Sequence, residues 1–150
     1  MSRLLVVHHT PSPATRELLE AVLAGTRDPE IIGIDVVVRP ALAATVTDML
    51  DADGYIFGTP ANFGYMSGAL KHFFDTVYYP VLDYVANRPY GLWVHGNNDT
   101  AGAVSAVDRI AGGLSLVRSA DVLEVSGVID GAVRQRAYEL GGTLAAIVMK

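Results

Sequence analysis

Five apolar, mostly β-branched segments recur along this chain, and stretches with helical spacing lie between them. The segments are Leu4 to Val7, Ile31 to Val38, Tyr55 to Gly58, Tyr90 to His95 and Val122 to Val125. The clearest helical stretch is "PATRELLEAVLAG", where Leu18, Leu19, Val22 and Leu23 share one face and Gly25 offers a stop. Further helices are expected over Ala41 to Leu50, Ser67 to Tyr79, Thr100 to Leu116 and Asp130 to Met149. Near-continuous apolar strands alternating with helices imply a parallel sheet covered on both faces. Right-handed crossovers leave few topologies, and five such units suit an open, doubly wound α/β sheet. No linker, repeat or low-complexity tract interrupts the alternation, so residues 1–150 read as a single domain.

Composition removes several classes of function. The chain is 51% hydrophobic and 18% charged, which argues against disorder. No uninterrupted apolar run approaches the roughly 20 residues of a membrane span. The opening "MSRLLVVHHTPSP" has too short an apolar block for a secretory signal. With no cysteine there is no disulfide, no thiolate nucleophile and no thiolate-bound metal, and a cytoplasmic setting is expected. A net charge of -5, with scattered basic residues, argues against nucleic acid as a partner.

In a doubly wound sheet ligands bind at the carboxyl ends of the strands, beside the point where strand order reverses. The loops there, after strands one, three and four, read "HHTPSPATRE", "TPANFGYMSG" and "HGNNDTAG", all rich in Gly, Pro, Asn, Ser and Thr. Opposite loops such as "TRDPE" and "VANRP" are ordinary polar turns. In the first loop Thr10, Ser12 and Thr15 surround a helix start with Pro13 in its first position. A helix N-terminus suits an anion, although Ser12 would also cap this helix with no ligand present. No G-x-x-x-x-G-K-[ST] motif exists, which disfavours a nucleoside triphosphate. In the second loop Pro60 ends the strand, Gly64 permits close backbone approach, and Ser67 can cap the next helix. Asn62, Phe63 and Tyr65 then offer amides and ring faces to a planar group, the plainer reading being aromatics that cover the core. In the third loop His95, Gly96, Asn97 and Asn98 can reach ring heteroatoms, with Asp99 or Thr100 capping the following helix. His8, His9 and His95 all fall at strand ends, but neither their spacing nor a carboxylate supports a metal triad. No G-x-S-x-G elbow is present, and the first loop lacks the acidic cluster of a response-regulator receiver.

The segment "GTPANFGYMSGALKHFFD" resembles the flavin loop of the flavodoxin-like NAD(P)H:quinone oxidoreductases and FMN reductases, in compact form. That resemblance implies a flavodoxin-like five-stranded parallel sheet of order 2-1-3-4-5, with helices on both faces. It places Thr59, Pro60, Ala61, Asn62, Phe63, Gly64 and Tyr65 at flavin-contacting positions. The first loop is similar to the flavodoxin phosphate loop through Thr10, Ser12 and Thr15, with His9 beside them, but Pro13 and Ala14 replace a Gly-Asn pair. The cofactor implied is FMN, with NAD(P)H as electron donor. The implied activity is hydride transfer from NAD(P)H to FMN N5 and on to a quinone or similar small acceptor.

Charge bears on the choice between enzyme and electron carrier. Electron-carrying flavodoxins ring the flavin with carboxylates, which separate the two one-electron steps. From Gly54 to Phe74 this chain has no acidic residue and carries Lys71 and His72, which favours hydride chemistry. A non-enzymatic electron carrier is the alternative, and a flavin-free interaction protein a third reading. The third helix, with Phe73, Phe74, Val77, Tyr78, Tyr79 and Val81, has more aromatic surface than one sheet face needs, which suggests a homodimer or higher homo-oligomer.

Overall fold

The computed structural model describes residues 1–149. In chain order its elements are β1 (Ser2–His8), α1 (Pro13–Thr26), β2 (Ile34–Pro40), α2 (Val46–Asp51), β3 (Gly54–Asn62), β4 (Tyr65–Met66), α3 (Gly68–Val81), β5 (Pro89–His95), α4 (Thr100–Gly113), β6 (Val117–Arg118), β7 (Leu123–Val125) and α5 (Gly131–Val148). The main path through the sheet is β2-β1-β3-β5-β6, all parallel; β7 also pairs in parallel with β5, and β4 pairs antiparallel with β3. The expected order 2-1-3-4-5 is therefore present. Two refinements are a two-residue hairpin strand after β3 and a fifth strand broken into β6 and β7.

Strand alternation divides the core in two. Leu5, Val7, Tyr55, Phe57, Tyr90, Leu92 and Val94 face α3 and α4, while Leu4, Val6, Ile56 and Trp93 face α1 and α5. Phe73 and Phe74 of α3 are buried and meet Phe57, with ring centroids 6.4 and 5.1 Å away. Those two side chains therefore belong to the core and leave the aromatic excess of α3 to its tyrosines. Tyr79 on the same helix is 80% exposed.

Several boundaries differ from expectation for identifiable reasons. β2 starts at Ile34 because Gly33, at φ 74°, turns the chain and Ile31 N is bonded to Asp28 O. β3 runs through Pro60 to Asn62. Its neighbour β1 has ended at the His8–Gly58 pair, so the missing proline N–H breaks no ladder bond there. Gly25 does not stop α1, which continues to Thr26. Gly25 lies instead against the backbone of Tyr138, and Gly141 lies reciprocally against the backbone of Val22. These glycines let α1 and α5 cross backbone to backbone. α3 likewise continues past Tyr79 to Val81, with Pro80 inside it. No helix among the described residues is long and apolar enough to cross a membrane.

Candidate functional site

The sheet register brings three loop origins together at one edge. His8 pairs with Gly58, and Pro60 pairs with His95, so the chain leaves β1, β3 and β5 at neighbouring points. His9 N donates to Gly58 O at 2.9 Å, and Gly96 N donates to Val125 O at 3.0 Å, extending the sheet bonding into the loops.

The first loop is largely satisfied within itself. Ser12 caps α1: Thr15 N donates to Ser12 Oγ at 3.2 Å, while Ser12 N donates to Thr15 Oγ1 at 3.1 Å. The two hydroxyls are 2.9 Å apart, and Thr15 Oγ1 donates to Ser12 O at 3.0 Å. Pro11 and Pro13 carry no N–H. Among residues 9 to 15 that leaves the amides of Thr10 and Ala14 outside these bonds. The Thr10 hydroxyl pairs with His8 Nδ1 at 3.0 Å. Burial pushes the His8 pKa down, and the neighbouring His9 pushes it further, which disfavours a charged His8.

The second loop is a tight hairpin. Asn62 pairs with Tyr65, and both residues between them have positive φ: Phe63 at 53° and Gly64 at 71°. Two left-handed residues match the twist of the flanking strands, a geometry that Asn or Gly usually supplies. Phe63 occupies it as a bulky side chain and is fully exposed. An aromatic held in strained backbone and kept out of the core points to a role in contact with a ligand. The fully buried Thr59 pins the hairpin's base, accepting from Ser67 N at 3.0 Å and donating to Pro60 O at 2.8 Å. Pro60 is buried beside it, Ala61 is half-buried, and Asn62 and Tyr65 are exposed.

The third loop locks onto the second. Asp99, at φ 48°, caps α4 by accepting from Gly102 N at 3.0 Å. A side chain on Gly64 would overlap the Asp99 carboxylate, and one on Gly102 would overlap Gly64 O. Gly96 is buried, and a Cβ there would come within 2.9 Å of the Ala61 methyl. Hairpin and helix start therefore form one wall, while Asn97 and Asn98 stay exposed on its rim. His95 Nε2 lies 2.7 Å from Gly127 O and ties in the loop after β7. His8 and His95 thus have separate partners, and no group of three His, Cys, Asp or Glu among the described residues is arranged to hold a metal.

Sequence reasoning missed one residue at this edge, Trp93. The Trp93 indole lies directly over Gly58, where any side chain would collide with it. Its Nε1 is buried without a hydrogen-bond partner among the described residues. An unsatisfied buried donor costs about 1–3 kcal/mol. This one sits on the α1 face, one residue in from the first and second loops. A lone tryptophan in a strand opposite a strand glycine was the available signal. Lys71 corrects the charge argument: its ammonium pairs with Asp75 at 2.6 Å, which raises its pKa, so it is not a free cation. Two carboxylates stand at the third loop: Asp99, whose charge faces the α4 N-terminus, and Glu124, which accepts from the Thr100 hydroxyl at 2.9 Å.

The arrangement fits a flavin mononucleotide. The glycine approaches and exposed aromatics of loops two and three suit a flat ring, and the α1 N-terminus with the nearby spare donor suits a phosphate-bearing tail.

A protein-family model described as NADPH-dependent FMN reductase matches residues 14–127, beginning in the first turn of α1. Over 77 residues the chain is 38% identical to a flavodoxin of Aquifex aeolicus, covering 51% of this chain and 40% of that protein. Over 115 residues it is 30% identical to an NAD(P)H dehydrogenase (quinone) of Geobacter sulfurreducens, covering 62% of this chain and 51% of that one. The matches thus span about half the length of these curated relatives, or less. Among solved structures, a flavodoxin from the domain Archaea superposes with a TM-score of 0.83 at 16% identity, over 97% of this chain and 98% of that one, a likeness of fold.

Proposed function

The chain belongs to the NADPH-dependent FMN reductase family, and on that premise we propose that it is an FMN-binding, NAD(P)H-dependent oxidoreductase acting on quinones or similar small acceptors. The observation that carries this reading is the wall formed where Gly64 packs against Asp99 and Gly102, beneath the exposed Phe63. Bound FMN supplies the two-electron chemistry, by which NAD(P)H, a proton and a quinone become NAD(P)⁺ and a hydroquinone.

The chain's own residues bind and orient. Ala61, Asn62, Phe63, Gly64 and Tyr65, with His95, Gly96, Asn97 and Asn98, would hold the ring system of the cofactor. His9, Thr10, Ser12, Pro13, Ala14 and Thr15 would hold its phosphate, with the Thr10 and Ala14 amides as the donors not already engaged. Thr59 and Pro60 set the hairpin's base. No side chain is required as nucleophile or base.

The test is direct: the protein, loaded with FMN, is mixed with NADPH or NADH and a simple benzoquinone. Nicotinamide oxidation that requires both FMN and quinone supports the reading; bound FMN that neither nicotinamide reduces refutes it. An electron-carrying role is the second reading. It is favoured by the Asp99 carboxylate against the flavin loop and by the likeness to a protein named flavodoxin. That role predicts two separated one-electron reductions and no turnover.

Exposed Tyr79 and Tyr84, at 80% and 68%, support assembly as a homodimer or larger homo-oligomer, which light scattering tests. A cysteine-free chain with this chemistry is consistent with the cytoplasm.

A further inference from the structure

β2 lies at one end of the sheet and, among the described residues, pairs only with β1. Their ladder runs one to one from Ser2–Ile34 to His8–Pro40, with no bulge. Just beyond it, Ala41 N donates to His8 O at 2.7 Å. Backbone direction alternates along a strand, so the N–H and C=O groups of Asp35, Val37 and Arg39 face β1. Those of Ile34, Val36 and Val38 face away from it. Natural edge strands are ordinarily blunted by a bulge, a central proline or lysine, or a covering element. Here the middle of the edge is Val36-Val37-Val38, all partly buried, and the strand's proline, Pro40, stands at its end. Arg39 Nη1 reaches round to Val38 O only at 3.3 Å.

The charges choose the partner. Asp35 and Arg39 stand two residues either side of Val37 on one face of the strand, each with 45% of its side chain exposed. Laid antiparallel against its own copy about a twofold axis through Val37, the strand sets each Asp35 opposite the other copy's Arg39. The Val36–Val38 pairs then fall at the hydrogen-bonded positions, because both residues turn their backbone groups outward. Moving the axis to Val36 or Val38 sets the two charges opposite Val37, Gly33 or Ala41 instead. Parallel pairing in register would set like charge beside like. Within each copy Asp35 is held by Arg3 at 3.1 Å and Arg39 by Asp48 at 3.4 Å. The antiparallel arrangement therefore runs Arg3, Asp35, Arg39, Asp48 in alternating sign, the last two from the other copy. Copies of a chain of net charge -5 repel one another, so association needs local compensation of this kind.

We propose that two copies of this chain associate through β2, antiparallel about Val37, to form one continuous sheet across a dimer. The inference is independent of the flavin reading, and its surface is distinct from that of Tyr79 and Tyr84. Because the paired strands run in opposite directions, the two sets of candidate loops lie at opposite ends and both stay open.

Light scattering over a concentration series of the full chain, with Asp35→Arg and Arg39→Asp as variants, tests it. Circular dichroism confirms that each is folded. Either substitution sets like charges opposite each other at two positions and should halve the wild-type mass. An equimolar mixture of the two variants should regain that mass, since one copy then brings only positive charge to these positions and the other only negative. Mixing leaves the contacts within each chain unchanged, so a purely structural effect of the substitutions would not be rescued. Amide hydrogen exchange gives a readout that needs no variant. Val36 and Val38 should be protected in the wild type and lose protection on dilution to monomer, while Val37, bonded to β1, stays protected throughout. A wild type that is monomeric at every concentration, or a mass that neither variant changes, overturns the proposal. So does a mixture that stays at the halved mass, or free exchange at Val36 and Val38 in the concentrated wild type.

Discussion

Gly64 and Asp99 meet so closely that a methyl group on Gly64 would overlap the Asp99 carboxylate. This contact joins the hairpin after β3 to the start of α4, so two of the three candidate loops pack as one wall. Gly64 is also left-handed, at φ 71°. Gly64→Ala therefore meets a backbone penalty and a steric one together, and should lower stability by about 1–3 kcal/mol. FMN affinity should fall at least about tenfold, since every 1.4 kcal/mol is tenfold in binding. Urea unfolding and quenching of flavin fluorescence check the two parts. Asp99→Ala removes the α4 cap and so costs stability by itself, but it should cost less in the Gly64→Ala background than in the wild type, because there it also relieves the overlap.

The glycines of the helices separate by what surrounds them. Gly141 sits against the Val22 backbone where α1 crosses α5, so Gly141→Ala should push the helices apart and cost about 1–3 kcal/mol. Gly112, inside α4, has nothing near the position of an added methyl, and Gly112→Ala should stabilise by about 0.5–1 kcal/mol. Urea midpoints moving in opposite directions for the two variants would bear out the assignment.

His8 sets a pH response at the edge of the first loop. Burial, then His9, hold its folded pKa below the ordinary value of 6.5. Above that value both folded and unfolded states are neutral at this group and it has no effect on stability. As pH falls through about 6.5 the unfolded chain takes up the proton first, so stability drops until the folded pKa is reached. Urea midpoints measured from about pH 7.5 down to 5.5 should fall in the wild type and fall less in His8→Gln, whose amide can keep the contact with Thr10.

The sheet was legible because its central strands are near-continuous apolar runs buried on both faces: Leu4 to Val7 and Tyr90 to His95 read as strands with no tertiary information. What escaped depends on contacts between distant parts of the chain. Gly25 looked like a helix stop, since its sequence window does not contain α5, the helix against which it is packed. β4 and β6 are two residues long, too short for any periodicity. The three ligand loops were legible as clusters of turn residues at predictable strand ends. The state of their side chains was not: the mutual capping of Ser12 and Thr15, the pairing of Lys71 with Asp75, and the unpartnered Trp93 Nε1 are properties of the packed molecule.

The most direct measurement is an anaerobic titration of the FMN-reconstituted protein with NADPH, followed by flavin absorbance. One equivalent of FMN retained per chain, bleached by one equivalent of NADPH in a single two-electron phase, is the predicted result. A protein that retains no FMN, or whose bound FMN is left oxidised by excess NADPH and NADH alike, would contradict it.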